Sequence, residues 1–229
     1  MIETFADADT LAEAAAGAVI SALEAGLRLK GSASLAATGG RSPGVVYERM
    51  ALVPLDWRHV RVTLTDERWV DPASPDSNER LVREHLLQHR AAEAMLHPLR
   101  DREPNPEAAA HHASALLHAW PPFDAVMLGM GEDGHVASLF PGSPALALGL
   151  DPQAPACIAV PAGEARAPAQ TRLSLTIRPL ATAGLVLILT SGAAKRAILE
   201  QALAGGDPRE FPVRAVLQSA RSVRILWTA

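Results

Sequence analysis

Short apolar runs of strand length recur along this chain, each leading into a glycine-bearing or charged loop and, in most cases, on to a stretch with helical spacing. Ser32–Thr38 runs into Gly39-Gly40 and Pro43, followed by Val45, Val46 and Met50. Val60–Thr65 ends in Asp66-Glu67-Arg68, with helical periodicity over Asn78–Leu87. A helical 105–119 leads into Phe123–Leu128 and then Gly129-Met130-Gly131, and Gly184–Thr190 leads through Ser191-Gly192 into a helical Ala193–Leu203. Ala156–Val160, Leu173–Ile177 and Val223–Trp227 are further strands. Residues 7–29 place Leu11, Ala15, Val19 and Leu23 on one helical stripe, which predicts an amphipathic helix lying over a sheet. Parallel strands need long crossovers and helices supply them, so the alternation predicts an α/β fold around a largely parallel sheet covered on both faces.

With 229 residues, 48% of them hydrophobic, the chain is expected to form a single domain over 1–229. A formal charge of -4 offers no global field for nucleic acid or an anionic membrane, so an anionic ligand needs local positive groups. Cys157 is the only cysteine, which excludes an intrachain disulfide and a multi-thiolate zinc site and fits a reducing compartment, with the thiol as small apolar filler. The Ala-rich start is interrupted by Asp7, Asp9, Glu13 and Glu24, and no basic region precedes an apolar one. A cytoplasmic protein without membrane, nucleic-acid or obligate protein partners is the expectation.

In parallel α/β sheets ligands gather beyond the carboxyl ends of the strands, and the unusual residues of this chain follow predicted strands. Gly39-Gly40-Arg41-Ser42-Pro43 at a helix start leaves backbone N–H groups free for an anion, helped by the helix dipole and the Ser42 hydroxyl. The same pattern also serves as an ordinary turn and cap. It is neither a Walker loop nor a dinucleotide fingerprint, so nothing supports a nucleotide cofactor. In Gly129-Met130-Gly131-Glu132-Asp133-Gly134-His135 alternating glycines let backbone approach a ligand and present Asp133 and His135 outward. An imidazole titrates near neutrality and can take a proton from water and return it to a leaving oxygen. Arg68, Arg172 and Lys195 lie at element ends close to these loops, where Arg suits bidentate contact to phosphate or carboxylate and Lys acts as a mobile point charge. His85 and His89, four apart on one helical face, and the cluster of His111, His112 and His118 lack a matching carboxylate pattern and read as surface residues, with no metal expected. Trp57, Trp69, Trp120 and Trp227 show no interval that would make a stacking platform and read as packing residues.

Taken in order, Gly39-Gly40-Arg41-Ser42-Pro43, Thr65-Asp66-Glu67-Arg68, Asp76-Ser77-Asn78, the run from Gly129 to Pro141, Arg172-Leu173-Ser174-Leu175-Thr176 and Gly192-Ala193-Ala194-Lys195 resemble the 6-phosphogluconolactonase family, related to the glucosamine-6-phosphate deaminases. The resemblance covers nearly the whole chain. It implies a Rossmann-like fold, 6-phospho-D-glucono-1,5-lactone as substrate, hydrolysis in the oxidative pentose phosphate pathway and no cofactor. It further implies His135 as general base on water, with Asp133 and Arg68 beside it in the catalytic group. Arg68, Lys195 and the Gly39-Gly40-Arg41-Ser42 turn would hold phosphate, Gly131 and Arg172 would lie in the pocket, and Asp66 would position the sugar or the basic residues.

The deaminases share the Asp-Gly-His segment but usually continue to Asn-Glu-Pro, where the glutamate moves a proton during ring opening. Here those positions are Leu139-Phe140-Pro141, and a phenyl ring shuttles no proton. One departure from the lactonase pattern is Pro168-Ala169-Gln170-Thr171, where paired prolines and a glutamate are usual. A non-catalytic sugar-phosphate sensor on the same fold would keep the phosphate loop, but it would have no use for His135 and usually adds a DNA-binding helix-turn-helix, for which these 229 residues, expected to be taken up by the enzyme-like domain, leave no basic addition.

Overall fold

The computed structural model describes residues 1–163 and 169–229; Pro168, part of the departure noted above, lies outside them. In chain order the strands are β1 (Ile2–Phe5), β2 (Ala33–Ala37), β3 (Val60–Leu64), β4 (Asp66–Arg68), β5 (Met95–Leu96), β6 (Ala125–Gly129), β7 (Cys157–Val160), β8 (Arg172–Leu175), β9 (Leu185–Ser191) and β10 (Val223–Thr228). The α-helices are α1 (Ala8–Lys30), α2 (Arg41–Ala51), α3 (Asn78–His85), α4 (Pro106–His118), α5 (Leu146–Gly149), α6 (Ile177–Ala181), α7 (Ala193–Leu203) and α8 (Val213–Ser219).

Seven strands form one sheet in the order β1-β10-β9-β6-β2-β3-β5, and every pairing in it is parallel. Its central strands are buried along their length, as a sheet flanked by helices requires. The chain leaves β2 toward β3 and leaves β6 toward β9 on the other side, so the switch point lies between β2 and β6. The remaining strands form a second, antiparallel sheet in the order β4-β8-β7. Its cause is local: Thr65 alone separates β3 from β4, which leaves no room for a crossover helix. Thr65 joins the two sheets, its N–H donating to Ala37 at 2.8 Å and its carbonyl accepting from Leu175 at 2.8 Å. The expected strand Leu173–Ile177 stops at Leu175, because Thr176 is the N-cap of α6.

Helix α1 begins where the Asp7 carboxylate accepts the Thr10 N–H at 2.8 Å and ends at Gly31 with φ 72°. Leu11, Ala15, Val19 and Leu23 are buried, each aliphatic side chain larger than Ala contributing about 1.5–3 kcal/mol. By length and composition α1 is long and apolar enough to cross a membrane, so its acidic residues do not interrupt it as expected from sequence. Asp7 lies outside the helix, and Asp9 and Glu13 point outward to Arg49, leaving a continuous apolar stripe that packs on the sheet. The two histidines expected on one helical face do not share one. Helix α3 ends at His85, whose Nδ1 lies 2.8 Å from Glu48, and His89 follows in a 3-10 turn with φ 50°. His111, His112 and His118 are exposed. Cys157 is buried, and burial pushes its thiol up to about 12.

Candidate active site

Strand β2 delivers Thr38 to the switch point, and buried Tyr47, in the middle of α2, holds it there. The Thr38 N–H donates to the Tyr47 oxygen at 2.8 Å, and the Tyr47 hydroxyl donates to the Thr38 carbonyl at 2.7 Å. The chain then turns through Gly39, where a Cβ would sit 1.9 Å from the Asn78 amide oxygen, and through Gly40 with φ 112°. Gly40 is the N-cap of α2 and provides no side chain to occupy the first-turn N–H groups. Helix α7 starts the same way from Gly192, which the Trp227 indole anchors by donating to its carbonyl at 2.9 Å. The other long helices differ: α1, α3 and α4 are capped by the side chains of Asp7, Ser77 and Asn105. The two uncapped starts bring Arg41 and Ser42, and Lys195, to one cavity.

Strand β4 adds Asp66 and Arg68, and β8 sets Arg172 directly opposite Arg68 in register. Like charges in that position repel, so an acceptor is needed beside them. Asp66 supplies part of it: Arg172 Nη1 lies 3.5 Å from its Oδ2, which also accepts the Ser138 hydroxyl at 2.6 Å. The Nε atoms of Arg68 and Arg172 are buried with no partner among the described residues. Burial, with Arg68 adding to it and Asp66 opposing, holds Arg172 below the usual guanidinium range. An anion arriving between these side chains would satisfy donors that the protein leaves open.

The loop after β6 closes on itself, Gly131 N–H donating to the His135 carbonyl at 3.0 Å and Gly134 N–H to the Gly131 carbonyl at 3.1 Å. A Cβ at Gly131 would come within 2.2 Å of His135 Nδ1, so only glycine admits the imidazole here. Nδ1 lies 2.6 Å from Asp133 Oδ1. Burial raises the Asp133 carboxyl, but its contacts with His135 outweigh that and bring it below the usual range. The carboxylate is then acceptor only, so Nδ1 carries a proton, and in the neutral form of the ring it is Nε2 that keeps the lone pair. The Phe140 and His135 ring centres lie 4.3 Å apart, and the Arg172 guanidinium stands 5.4 Å from the centre of the Phe140 ring.

All these loops line a single cavity of about 410 Å³. Gly39, Gly40, Arg41, Ser42, Asp66, Arg68, Gly131, His135, Arg172 and Lys195 face it; Asp133 does not, standing behind His135. Among the described residues four cations and one carboxylate line the cavity of a chain with a net charge of -4. A larger cleft of about 830 Å³ beside α6 and α8 contains no imidazole or thiol and lies apart from these loops. Among the described residues no three His, Cys, Asp or Glu side chains assemble as metal ligands. Tyr47, Asn78 and Ser138, none assigned a role from sequence, support the cavity from behind. Asn78 and Ser138 lie inside the quoted motifs, whereas nothing local marks Tyr47.

A parallel sheet whose switch-point crevice joins open helix starts to a carboxylate-backed imidazole is the arrangement of an α/β enzyme acting on a small anion. The family model described as glucosamine-6-phosphate isomerases/6-phosphogluconolactonase matches residues 6–227, and the chain belongs to this family. The 6-phosphogluconolactonase of Caulobacter vibrioides is 43% identical over 99% of this chain and 96% of its own length. That of Rhizobium meliloti is also 43% identical, over 97% and 96%. A crystal structure of a 6-phosphogluconolactonase from Shewanella baltica superposes with a TM-score of 0.93 at 36% identity, covering 100% of this chain and 97% of that one. A monomeric glucosamine-6-phosphate deaminase shares the fold with a TM-score of 0.83 at 18% identity.

Proposed function

We propose that this enzyme hydrolyses 6-phospho-D-glucono-1,5-lactone to 6-phospho-D-gluconate in the oxidative pentose phosphate pathway, in the cytoplasm and without a cofactor. The observation that carries the reading is the His135–Asp133 pair at one wall of a cavity whose other walls are Arg68, Arg172, Lys195 and the open start of α2. The phosphate binds the α2 and α7 starts with Lys195 and Arg68, which places the lactone ring toward His135. Nε2 of His135 takes a proton from water as the water oxygen attacks the lactone carbonyl carbon. Asp133 holds the ring in the required tautomer and stabilises the imidazolium that forms. Negative charge growing on the carbonyl oxygen is met by cationic donors of the cavity. The tetrahedral intermediate collapses by breaking the bond to the ring oxygen, which receives the proton from His135. Phe140 stands where a deaminase would need a proton-transferring glutamate, which favours the lactone over an amino-sugar phosphate.

The test generates the lactone in place by oxidising glucose 6-phosphate and follows its loss with wild type, with His135→Ala and without protein, since the lactone also opens spontaneously. Wild type is expected to accelerate the loss and His135→Ala to return it to background. Glucosamine 6-phosphate is assayed in parallel, and ammonia release from it with no lactone turnover would overturn the reading.

A further inference from the structure

Glu67 has no part in the chemistry above, yet it is only 2% exposed. Successive residues of a strand point to opposite faces, so β4 sends Glu67 away from Asp66 and Arg68, to the start of α3. Its Oε1 accepts the N–H groups of Arg68 at 2.7 Å and Asn78 at 2.9 Å. Its Oε2 accepts the N–H of Glu79 at 2.7 Å and the Ser77 hydroxyl at 3.0 Å. The Ser77 oxygen in turn accepts the Arg80 N–H at 3.2 Å. The first-turn donors of α3 are thus occupied by the chain's own carboxylate and hydroxyl, whereas those of α2 and α7 have no side-chain cap. Burial raises the Glu67 carboxyl, and these four donors oppose it by favouring the ionised form.

The cluster reaches the cavity by two routes. Arg68 is tied to the start of α3 twice, by its N–H on Glu67 and by its Nη1 donating to the Asp76 carbonyl. Asn78, held by Glu67 through its N–H, donates from Nδ2 to the Asp66 carbonyl at 2.8 Å and to Asp66 Oδ1 at 3.3 Å. The same Asn78 side chain fills the space beside Gly39.

We propose that Glu67 is a positioning residue for phosphate: its carboxylate, fastened to the start of α3, fixes β4 so that Arg68 and Asp66 face the cavity at a set distance from the glycine turn. This rests on the phosphate site argued above. Glu67→Gln is nearly isosteric but places an NH2 group where only donors converge, so a pair of them loses its acceptor. Inorganic phosphate binding by calorimetry is expected to weaken about tenfold, with a similar rise in KM and kcat changed by less than about twofold. Because one of the two routes from Glu67 runs through Arg68, Glu67→Gln should weaken phosphate binding by a clearly smaller factor in Arg68→Ala than in wild type, which a merely structural role would not produce. Unchanged phosphate affinity in Glu67→Gln, or an equal loss with and without Arg68, overturns the proposal. If Glu67→Gln does not fold, Ser77→Ala, which removes one of the four donors, goes through the same cycle under the same criterion. Phosphate binding is read without turnover. A wild type that binds phosphate but hydrolyses no lactone therefore overturns only the proposed function, whereas one that binds no phosphate overturns this proposal.

Discussion

At the scale of single residues, the His135–Asp133 contact is the most exposed to test. Asp133→Asn keeps the shape but offers an NH2 or a weaker acceptor to Nδ1, so the ring loses its enforced tautomer. The lactonase rate should fall about 10²-fold or more with KM little changed, as steady-state kinetics will show. Stability should respond to pH in a defined direction. The Asp133 carboxyl lies below its ordinary value, so its contribution is fully present above the ordinary carboxylate range and is lost as pH falls through the depressed value. In urea unfolding, the stability difference between wild type and Asp133→Asn should therefore persist down to about pH 5 and shrink below about pH 4, and a difference that stays constant there would show that the carboxyl is not held below its ordinary value. Of this site, the glycine loop and its imidazole were legible because their constraints are local: Gly131, Asp133 and His135 act on one another within five residues. For Asp66 the resemblance offered the sugar or the basic residues as alternatives, and its contacts with Ser138 and Arg172, 72 and 106 residues away, arise only where the folded sheets bring them near.

Elements divide into those that hold the fold and those that hold the ligand, and substitutions should separate the two. Leu23→Ala on the buried stripe of α1 is expected to lower unfolding free energy by about 2–5 kcal/mol without moving KM. Gly39→Ala acts on the other class. Its Cβ meets the Asn78 amide, and because that amide is held by Asp66, the glycine turn has to move away from the cavity. KM should rise by about tenfold or more while the unfolding midpoint changes less than in Leu23→Ala, a contrast that denaturant titration beside kinetics resolves. Long periodic elements such as α1, α4 and α7 were readable from sequence, as were the five inner strands of the parallel sheet, whereas its short edge strands β1 and β5 were not. Strand β4 was not, because three charged residues carry no strand pattern and form one only by pairing with β8. Through that pairing the strands at 157–160 and 172–175 form the second, antiparallel sheet, a grouping that nothing in their own residues marks.

For the whole molecule, charge is distributed against its own sum: a net -4 chain gathers Arg41, Arg68, Arg172 and Lys195 around one cavity. Folding must hold these cations together, so the unliganded protein carries their mutual repulsion, and an anion that binds only the folded state relieves it. Linkage then sets the size of the effect. At phosphate one hundred times above its Kd the folded state gains about 2.7 kcal/mol. For a chain of this length that raises Tm by about 5–11 °C. The dependence should survive in His135→Ala, which leaves the phosphate donors intact, and should largely vanish in Arg68→Ala. Sodium chloride at matched ionic strength separates binding from screening, since it screens the repulsion to the extent present in each protein and that shift is subtracted from the phosphate shift of the same protein. Equal phosphate shifts in wild type and Arg68→Ala would mean that the anion binds elsewhere, and that the repulsion in this cavity is balanced without a ligand.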